Sequence, residues 1–545
     1  MIGVIARADQ AQAVSEFFEL FKTPWELYRH GCAYDLVIST TDVAPDPMPR
    51  LFISCGAETK GGDQDLVKAD RHHARAAILH DERRVPIYTG LLALKAVDGT
   101  PAYVVADVGV AGVLSRTRDI VLRLGYDLFD EARYLLSAGQ PAEQADVPTL
   151  DLHIDMLRQW MLDAGVSIVE IPPCPAGHDF IVCLTHDIDF VGIRRHLFDH
   201  TMWGFLYRAT LGGLRDAIRR RIPVARMWRS WRAAASLPFV YLGWAKDFWE
   251  PFDWYLETEK GLAATYYLIP FKGRAGERVD ARATARRASA YDVADVRVSV
   301  NRLVASGCEV GVHGIDAWHD AAKGRDELAR LSTVTPEASA GVRMHWLLQD
   351  ANTPAVLEQA GFAYDSSSGY NETVGYRNGT SQVFRPETAT RLLELPMHLQ
   401  DGALFYPQRL NLSDAEADGR CQPLIEHARR SGGVLTVLWH DRSHGPERFW
   451  GDFYARLVRT LKSMTPWFGT ARDVVSWFQQ RRDVRFESTA NGRLRVHYAG
   501  QPVNPPFRVL IRPAGSAATM DLPWNGMSTV ELAPRANAEP VSSIA

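Results

Sequence analysis

The segment that decides the fold is Phe180–Asp189, FIVCLTHDID, an apolar run that ends in a histidine and two carboxylates. Short apolar runs of this kind are typical of buried parallel strands. Seven of them alternate with helical stretches: Ile181–Leu184, Ala264–Ile269, Glu309–Val312, Gly341–Met344, Phe362–Tyr364, Leu392–Leu395 and Val434–Leu438. Strands that alternate with helices predict parallel β/α units, and seven of them suit a closed or nearly closed barrel.

Polar side chains follow these runs. In a β/α barrel the carboxyl ends of the strands meet at one mouth, so we expect the side chains there to converge. The residues placed at this mouth are Asp187, Asp189, His313, His319, Arg343, Asp365, Glu394 and His440. One aspartate and two neutral histidines can bind a divalent ion and leave positions open for water and substrate. A second carboxylate can accept a proton from that water, and a histidine opposite can protonate a leaving amine.

The order Thr-x-Asp-x-Asp, Gly-x-His…His, Arg and Leu-x-His resembles the NodB-homology polysaccharide deacetylases, carbohydrate esterase family four. The resemblance covers about residues 178–480 and includes Leu438-Trp439-His440 as the closing motif. It implies a distorted (β/α) barrel that hydrolyses acetamido groups with a divalent metal. Zinc is the default ion, and cobalt or nickel would also fit the ligands. Carried over by position, the resemblance implies the following roles: Asp187 the base, Asp189 and His313 metal ligands, Arg343 the residue that orients the base, and His440 the acid.

The chain departs from the family pattern at the third metal ligand. The usual His-x-x-x-His becomes His313-x5-His319, so we choose His319 as the third ligand and keep Asp316 as its rival. The adjacent Asp pair of the family is also replaced here by Asp187-Ile188-Asp189.

Three residues are assigned to the substrate side of the site. The family's Arg-x-Pro-Tyr becomes Arg343-Met344-His345-Trp346, and the backbone N–H of Trp346 can still help to hold an oxyanion. Asp365 and Asp401 compete to be the carboxylate that holds His440 in its protonated form. Three other histidines are expected only to line the cleft: His186, His345 and His444.

Residues 196 to about 256 form an insertion that is rich in arginine and aromatic residues. Its tryptophans are Trp228, Trp231, Trp244, Trp249 and Trp254, and its arginines include Arg215, Arg219, Arg220, Arg221, Arg226, Arg229 and Arg232. This pattern suits an amphipathic helix on an anionic membrane surface. It also suits aromatic stacking on sugar rings, or a helical lid whose arginines are solvated. All three interpretations stay open at the level of the sequence.

The rest of the chain predicts a multidomain protein. We expect an N-terminal α/β domain over residues 1–145, the barrel with its insertion over 146–483, and a small C-terminal β module with a tail over 484–545. A helix with Leu150, Ile154, Leu157 and Met161 on one face precedes a Pro-rich linker. In the C-terminal module, Asn491-Gly492 predicts a hairpin turn, and the tail from Arg535 to Ala545 is expected to be disordered.

Composition limits the functional classes. The net charge of −4 gives no global attraction to nucleic acid. The six cysteines contain no CxxC pair, so we expect buried reduced thiols. The N-terminus lacks the features of a secretory signal and no stretch is apolar enough to span a bilayer, which favours the cytoplasm, with peripheral contact at an inner membrane.

We therefore expect a metal-dependent carbohydrate deacetylase that serves the biosynthesis of a surface or exported polysaccharide. Its substrate would be the polysaccharide or its lipid-linked precursor, with the N-acetyl group as the expected target. A related C–N hydrolase of a small amide or ureide is one alternative. A catalytically silent glycan-binding protein is the other.

Overall fold

The computed structural model describes residues 1–97, 101–116, 119–219, 222–280, 284, 286–335, 340–489, 493–516 and 518–532. The chain forms two compact units. The first comprises Met1–His178, Tyr376–Glu387 and Ser476–Ala545, and the second comprises Asp179–Gly375 and Thr388–Val475. The domain boundaries at residues 145 and 483 stay a prediction.

The first unit begins with a mixed sheet of eleven strands within the described residues, ordered β2-β1-β3-β4-β11-β10-β9-β6-β7 with β5 and β8 off this path. Strands β2, β1, β3, β4 and β11 are parallel, and the other pairings are antiparallel. The strands are β1 Ile2–Ile5, β2 Trp25–Leu27, β3 Leu36–Ser39, β4 Leu51–Cys55, β5 Val67–His73, β6 Ala76–His80, β7 Arg83–Ile87, β8 Leu91–Ala96, β9 Ala102–Ala106, β10 Gly109–Arg116 and β11 Ile120–Leu124.

Three helices and a short strand complete this part of the first unit: α1 Ala11–Phe21, α2 Leu128–Ser137, α3 Thr149–Asp163 and β12 Ile168–Glu170. Helix α3 is the amphipathic helix expected from the sequence. It buries Leu150, Ile154, Leu157 and Met161, whose spacing places them on one helical face.

The second unit contains a curled parallel sheet ordered β18-β17-β16-β15-β14-β13-β20-β19, with β21 also pairing with β13. Its strands are β13 Phe180–Ile188, β14 Ala264–Leu268, β15 Glu309–Gly314, β16 Val342–Met344, β17 Tyr364–Asp365, β18 Leu393–Glu394, β19 Leu399–Gln400, β20 Val434–Leu438 and β21 Pro466–Phe468. Each of the seven predicted runs overlaps one of these strands. The predicted α/β fold with a distorted (β/α) barrel is therefore confirmed.

The two edges of the curled sheet are joined along the chain. After β18, Leu395 N–H donates to the carbonyl of Asp365 at 2.8 Å, on the β17 side. Three residues later, His398 N–H donates to the carbonyl of Thr436 at 3.2 Å, and β19 then pairs with β20. A single segment thus crosses from one sheet edge to the other, and the carboxyl ends of the strands surround one mouth.

Helices follow most of these strands: α4 His200–Tyr207, α5 Gly213–Ile218, α6 Val224–Tyr241, α7 Phe252–Thr258, α8 Arg297–Ala305, α9 Ala321–Ser332, α10 Thr353–Ala360, α11 Asp401–Phe405, α12 Asp414–Ser431, α13 Trp450–Lys462 and α14 Ala471–Arg482. Helices α4 to α6 and most of α7 lie within the segment predicted as an insertion. Its Arg220 and Arg221 are outside the described residues. Among the helices that the structure describes, none combines the length and the apolar character needed to cross a membrane.

The C-terminal part of the first unit is β structure: β22 Arg485–Ser488, β23 Leu494–His497, β24 Phe507–Arg512, β25 Met520–Trp524 and β26 Val530–Leu532. These strands form the sheets β22-β23-β26 and β12-β24-β25. The second sheet thus includes a strand that precedes the barrel in the chain. The predicted Asn491-Gly492 turn and the tail from Arg535 lie outside the described residues. All six cysteines are free thiols; five are buried and Cys32 is partly exposed.

Candidate active site

Adjacent parallel strands deliver the polar residues of the second unit to one mouth. Strand β13 carries Asp187 in register with Tyr267 of β14, and β15 carries His313 in register with Arg343 of β16. His440 follows β20, which is the other neighbour of β13. Because all these strands are parallel, residues at their carboxyl ends converge, as the sequence predicted.

Asp189, His313 and His345 form a group that could hold a metal ion. Their candidate ligand atoms all lie within 4.8 Å of one another. Asp189 Oδ1 is 3.4 Å from His313 Nε2 and 3.3 Å from His345 Nε2. It is buried and accepts no hydrogen bond within the described structure. A buried carboxylate oxygen without a donor suits a cation, so the residues present fit a divalent metal.

The protonation states of this group also suit metal binding. His313 Nδ1 lies 2.9 Å from the carbonyl oxygen of Arg343, so Nδ1–H donates there and Nε2 keeps a free lone pair. Burial lowers the pKa of His345 well below its usual value, which keeps that imidazole neutral. Both histidines present Nε2 to Asp189 Oδ1.

The third member of this group differs from the one chosen from the sequence. His319 Nε2 lies 3.2 Å from Asp316 Oδ1, and neither residue belongs to the group of three. The loop after β15 is held elsewhere, because Glu327 of α9 accepts hydrogen bonds from the backbone N–H groups of Ile315 and Asp316 at 2.9 and 2.7 Å. The choice of His319, with Asp316 as rival, is corrected in favour of His345.

One sequence signal could have identified His345. It stands two residues after Arg343, and in extended chain residues i and i+2 face the same side. Asp187 and Asp189 have the same spacing at the end of β13. Two polar residues at positions i and i+2 of one strand end therefore predict two side chains that face the same side of the sheet. We had expected His345 only to line the cleft.

Arg343 holds Asp187 in a buried network. The guanidinium is fully buried and donates from Nη1 to Asp187 Oδ1 at 3.1 Å and to Thr185 Oγ1 at 2.7 Å. Its Nε and Nη2 donate to the carbonyl and hydroxyl oxygens of Ser366 at 2.9 and 2.8 Å. It also lies 4.6 Å from the centre of the Tyr267 ring. Asp187 Oδ2, on the other side of the carboxylate, lies 3.8 Å from His313 Nε2.

Asp401 is the carboxylate that contacts His440. Its Oδ1 lies 2.5 Å from His440 Nδ1, and its Oδ2 accepts the backbone N–H of His440 at 2.9 Å and the hydroxyl of Ser443. Burial opposes protonation of His440, but the charge and hydrogen bond of Asp401 outweigh it and raise the pKa of His440 to about 10. The charges of Asp189 and Asp187 raise this pKa further, which places His440 in the same electrostatic field as the metal group.

Asp365 has a different role from the one considered for it. It is buried and accepts from the hydroxyl and the backbone N–H of Ser367 at 2.5 and 3.0 Å. That hydroxyl in turn accepts the backbone N–H of Met344 at 2.8 Å. Asp365 therefore supports the strand end that carries His345. Since both Asp365 and Asp401 are buried, neither is available for direct contact with a substrate, which corrects their assignment to the substrate side.

Trp346 lies at the surface of the site in strained backbone. It has φ 67° and ψ 18°, and the next residue, Leu347, also has a positive φ of 53°. Two consecutive non-glycine residues in this region cost energy that the surroundings must offset. The carbonyl of Trp346 accepts from Asn371 Nδ2 at 2.9 Å, and the turn leaves the indole 38% exposed.

The remaining histidines lie outside the metal group. His186 is buried between the carbonyl of Trp439 and Glu259 Oε1, at 2.9 and 2.8 Å. His444 stacks on Trp254 with ring centres 5.2 Å apart. A cavity of about 250 Å³ adjoins the metal group and is lined by Asp189, Phe190, His200, Thr201, Arg208, Arg286, Arg287, Ala288, Ser289, His345, Trp346, Tyr406 and Arg442.

No protein-family model and no curated protein matches the chain. Among solved structures, it is similar to proteins assigned as polysaccharide deacetylases from Mycobacterium smegmatis (18% identity, TM-score 0.33) and Pseudomonas aeruginosa PAO1 (15%, 0.35). These cover 56% and 57% of this chain and 94% of each of those chains. This chain is similar to solved polysaccharide deacetylases.

It is also similar to Puue allantoinase, with 16% identity and a TM-score of 0.33 over 56% of this chain and 92% of that one. All these identities and TM-scores are low.

Proposed function

We propose that this protein is a metal-dependent hydrolase that removes acetyl groups, N-acetyl in the first place, from an amino-sugar polysaccharide or its lipid-linked precursor. The observation that carries the proposal is the arrangement around Asp189, His313 and His345. A carboxylate held by arginine lies on one side of this group, and a histidine held by a carboxylate is coupled to it electrostatically. Amide hydrolysis needs a proton acceptor and a proton donor beside one electrophilic centre.

Asp187 is proposed as the proton acceptor. Arg343 fixes the carboxylate by donating to Asp187 Oδ1, and Thr185 in turn accepts a hydrogen bond from the same guanidinium nitrogen. Asp187 Oδ2 is left on the side of His313. A base fixed in this way can take a proton from water without losing its orientation. Arg343 is then a positioning residue, since its contacts are with Asp187, Thr185 and Ser366.

His440 is proposed as the proton donor to the leaving amine. With a pKa of about 10 it carries a proton at neutral pH. Its Nδ1 is bonded to Asp401, so Nε2–H is the proton that it can transfer. Its side chain is 23% exposed, which leaves it open to a substrate that enters the mouth.

Asp189, His313 and His345 are proposed to hold the divalent ion, with zinc as the default and cobalt or nickel as alternatives. When bound there, such an ion supplies Lewis acidity that favours attack of water on an amide carbonyl. His345 replaces His319 in the proposed ligand set. The backbone N–H of Trp346 remains our proposal for an oxyanion donor, because it follows His345 directly.

We also propose peripheral contact with an anionic membrane surface on the cytoplasmic side, where a lipid-linked or nascent glycan would be met. Twelve of the 21 exposed large apolar side chains among the described residues lie between Leu197 and Trp244. They include Phe198, Trp228 and Trp244, at 72%, 54% and 75% exposure. Apolar side chains beside exposed arginines suit insertion into a lipid headgroup region. Stacking on sugar rings and a solvated lid stay as the alternatives.

Two alternative activities remain. A C–N hydrolase of a small amide or ureide would use the same acid, base and metal group. A catalytically silent glycan-binding protein would keep the barrel but not the turnover. The residue network around Asp187 and His440 favours catalysis over silence, because each side chain is held by buried partners in an orientation that binding alone does not need.

Acetate release tests the proposal. The full-length protein, loaded in turn with Zn²⁺, Co²⁺ and Ni²⁺, is assayed with N-acetylated chito-oligosaccharides, a small amide and allantoin. We expect acetate from the oligosaccharides, about 10²–10⁴-fold less with Asp187→Asn, and retained activity with the matched control His319→Ala. Preferred cleavage of a small amide would support the first alternative. Metal-loaded protein that releases nothing from any of these substrates, or an Asp187→Asn variant as active as the native protein, would refute the proposed function.

A further inference from the structure

The cavity beside the metal group is strongly cationic. Four arginines line it, Arg208, Arg286, Arg287 and Arg442, against a single carboxylate, Asp189. That carboxylate faces His313 and His345 in the candidate metal group, and no other acidic residue among those described lines the cavity. Any divalent ion held there would add to the positive charge. A neutral sugar alone requires no such excess.

Arg442 is held in the cavity by two aromatic rings. Its guanidinium lies 3.7 Å from the centre of the Phe190 ring and 4.9 Å from that of Trp249. In the part of the chain that the structure describes, no carboxylate lies within ion-pair distance of it. Burial, and then the neighbouring charge of Arg448, lower the pKa of Arg442 to about 10. A buried cation without an ion-pair partner is stabilised when an anion binds.

Arg287 provides a second incompletely used guanidinium. It is 1% exposed and donates to the carbonyl oxygens of Ile315 and His345 at 2.8 and 3.1 Å, and to that of Ala275. These acceptors fix its position next to the metal group. Its Nε is buried and has no hydrogen-bond partner within the described structure.

The other two arginines are at the rim of the cavity. Arg208 has Glu447 as its nearest carboxylate, at 3.9 Å, which is beyond hydrogen-bond distance. Arg286 is exposed. The hydroxyl-bearing residues Thr201 and Tyr406 line the same space, so donors suited to phosphate oxygens surround it.

We propose that this cavity binds a phosphate group attached to the acetamido sugar, so that a sugar phosphate or sugar diphosphate derivative is bound in preference to a neutral glycan. The inference rests on the proposed function, because it takes the acetamido group to lie at the adjacent metal group. Phosphate suits the cavity because planar guanidinium groups pair with its oxygens through two parallel hydrogen bonds. A nucleotide-linked sugar and a lipid-linked sugar phosphate share this chemistry.

Calorimetric binding to the full-length protein tests the inference without turnover. The probes are N-acetylglucosamine 1-phosphate, its neutral methyl glycoside and inorganic phosphate. We expect the sugar phosphate to bind about 10- to 100-fold tighter than the methyl glycoside, the size of hydrogen bonds to a charged group. Arg442→Gln is expected to remove this advantage, and the exposed control Arg232→Gln to keep it. Equal binding of charged and neutral sugars, or an Arg442→Gln variant that keeps the preference, would overturn the inference.

Two further probes identify the source of the phosphate. One is a nucleoside diphosphate N-acetylglucosamine, and the other is N-acetylglucosamine linked through phosphate to a short polyprenol in detergent micelles. Tighter binding of either one than of the simple sugar phosphate supports the inference and names the source. If neither probe binds more tightly than the neutral methyl glycoside, the inference fails. Acetate release from neutral oligosaccharides with a KM equal to that for phosphorylated substrates would leave the proposed function intact and refute the phosphate site. Tight binding of the sugar phosphate without hydrolysis of any substrate would support the phosphate site and refute the proposed function.

Discussion

The contact between Asp401 and His440 should set the alkaline limit of activity. His440 is proposed as an acid, so its active form is the protonated one, which is present below its pKa and lost as pH rises through it. With Asp401 in place that pKa is about 10, compared with an ordinary value of ~6.5 for histidine. Replacing Asp401 with asparagine removes the negative charge and keeps the size of the side chain.

The expected magnitude follows from the fraction of protonated His440. If the pKa falls to ~6.5, only about 3% of His440 is protonated at pH 8, whereas nearly all of it is protonated in the native protein. Asp401→Asn should therefore lose about 30-fold in kcat at pH 8 and much less at pH 6. The alkaline limb of the pH profile should move down by about 3.5 pH units, the distance between the two pKa values.

The assay is acetate release measured from pH 5.5 to about pH 10.5, with circular dichroism to verify folding. Asp365→Asn is the matched control, since Asp365 is equally buried but contacts Ser367 rather than His440. We expect its alkaline limb to stay in place even if kcat falls. An Asp401→Asn limb at the native position, or an equal movement in Asp365→Asn, would refute the role given to the Asp401–His440 pair.

Three other predictions concern the base, its partner and the exposed insertion. Asp187→Asn should lower kcat by about 10²–10⁴-fold and leave metal content unchanged, and loss of metal in this variant would contradict its assignment as the base. Arg343→Met should lower the free energy of unfolding in urea by about 3–5 kcal/mol, because it leaves Asp187 buried without its ion-pair partner; a change below ~1 kcal/mol would count against the network. The protein should sediment with anionic vesicles and be released by salt, and Phe198→Ser with Trp244→Ser should weaken this binding. Binding that does not depend on lipid charge would contradict the proposed contact with an anionic membrane surface.

The sequence predicted the barrel because its strands are buried on both faces. Such strands appear as short continuous apolar runs, and β13, with nine buried residues, shows this pattern most clearly. The two strands that were missed are short: β19 has two residues and β21 has three. Runs of that length have no periodicity of their own. The equally short β17 and β18 were predicted only because longer apolar runs overlap them. The pairing of β12 with β24 was also beyond the sequence, since those strands are more than 300 residues apart.

Residues at strand ends were predictable, and those held by loops were not. Asp187, Asp189, His313, Arg343 and His440 follow apolar runs directly, so the parallel topology alone brings them together. The third ligand was misplaced because a histidine spacing within one loop was taken as the guide. The loop after β15 is in fact held by Glu327, while the strand end of β16 brings His345 inward.

The same limit applies to the carboxylate that contacts His440. Asp365 and Asp401 could not be separated by sequence, because Asp401 reaches His440 only after the segment that joins the two sheet edges has crossed to the side of β20. That crossing depends on backbone hydrogen bonds from Leu395 and His398, which no residue pattern predicts.

The central claim is that Asp189, His313 and His345 share one divalent ion. Metal affinity, measured by competition with a chelator on purified full-length protein, tests it most directly in the pair His345→Ala and His319→Ala. Loss of an outer-shell partner commonly costs 10–100-fold in metal affinity, so loss of a direct ligand should cost more than about 100-fold. We predict this loss for His345→Ala and an affinity within about threefold of native for His319→Ala. Native affinity in His345→Ala, with loss in His319→Ala, would contradict the proposed metal group.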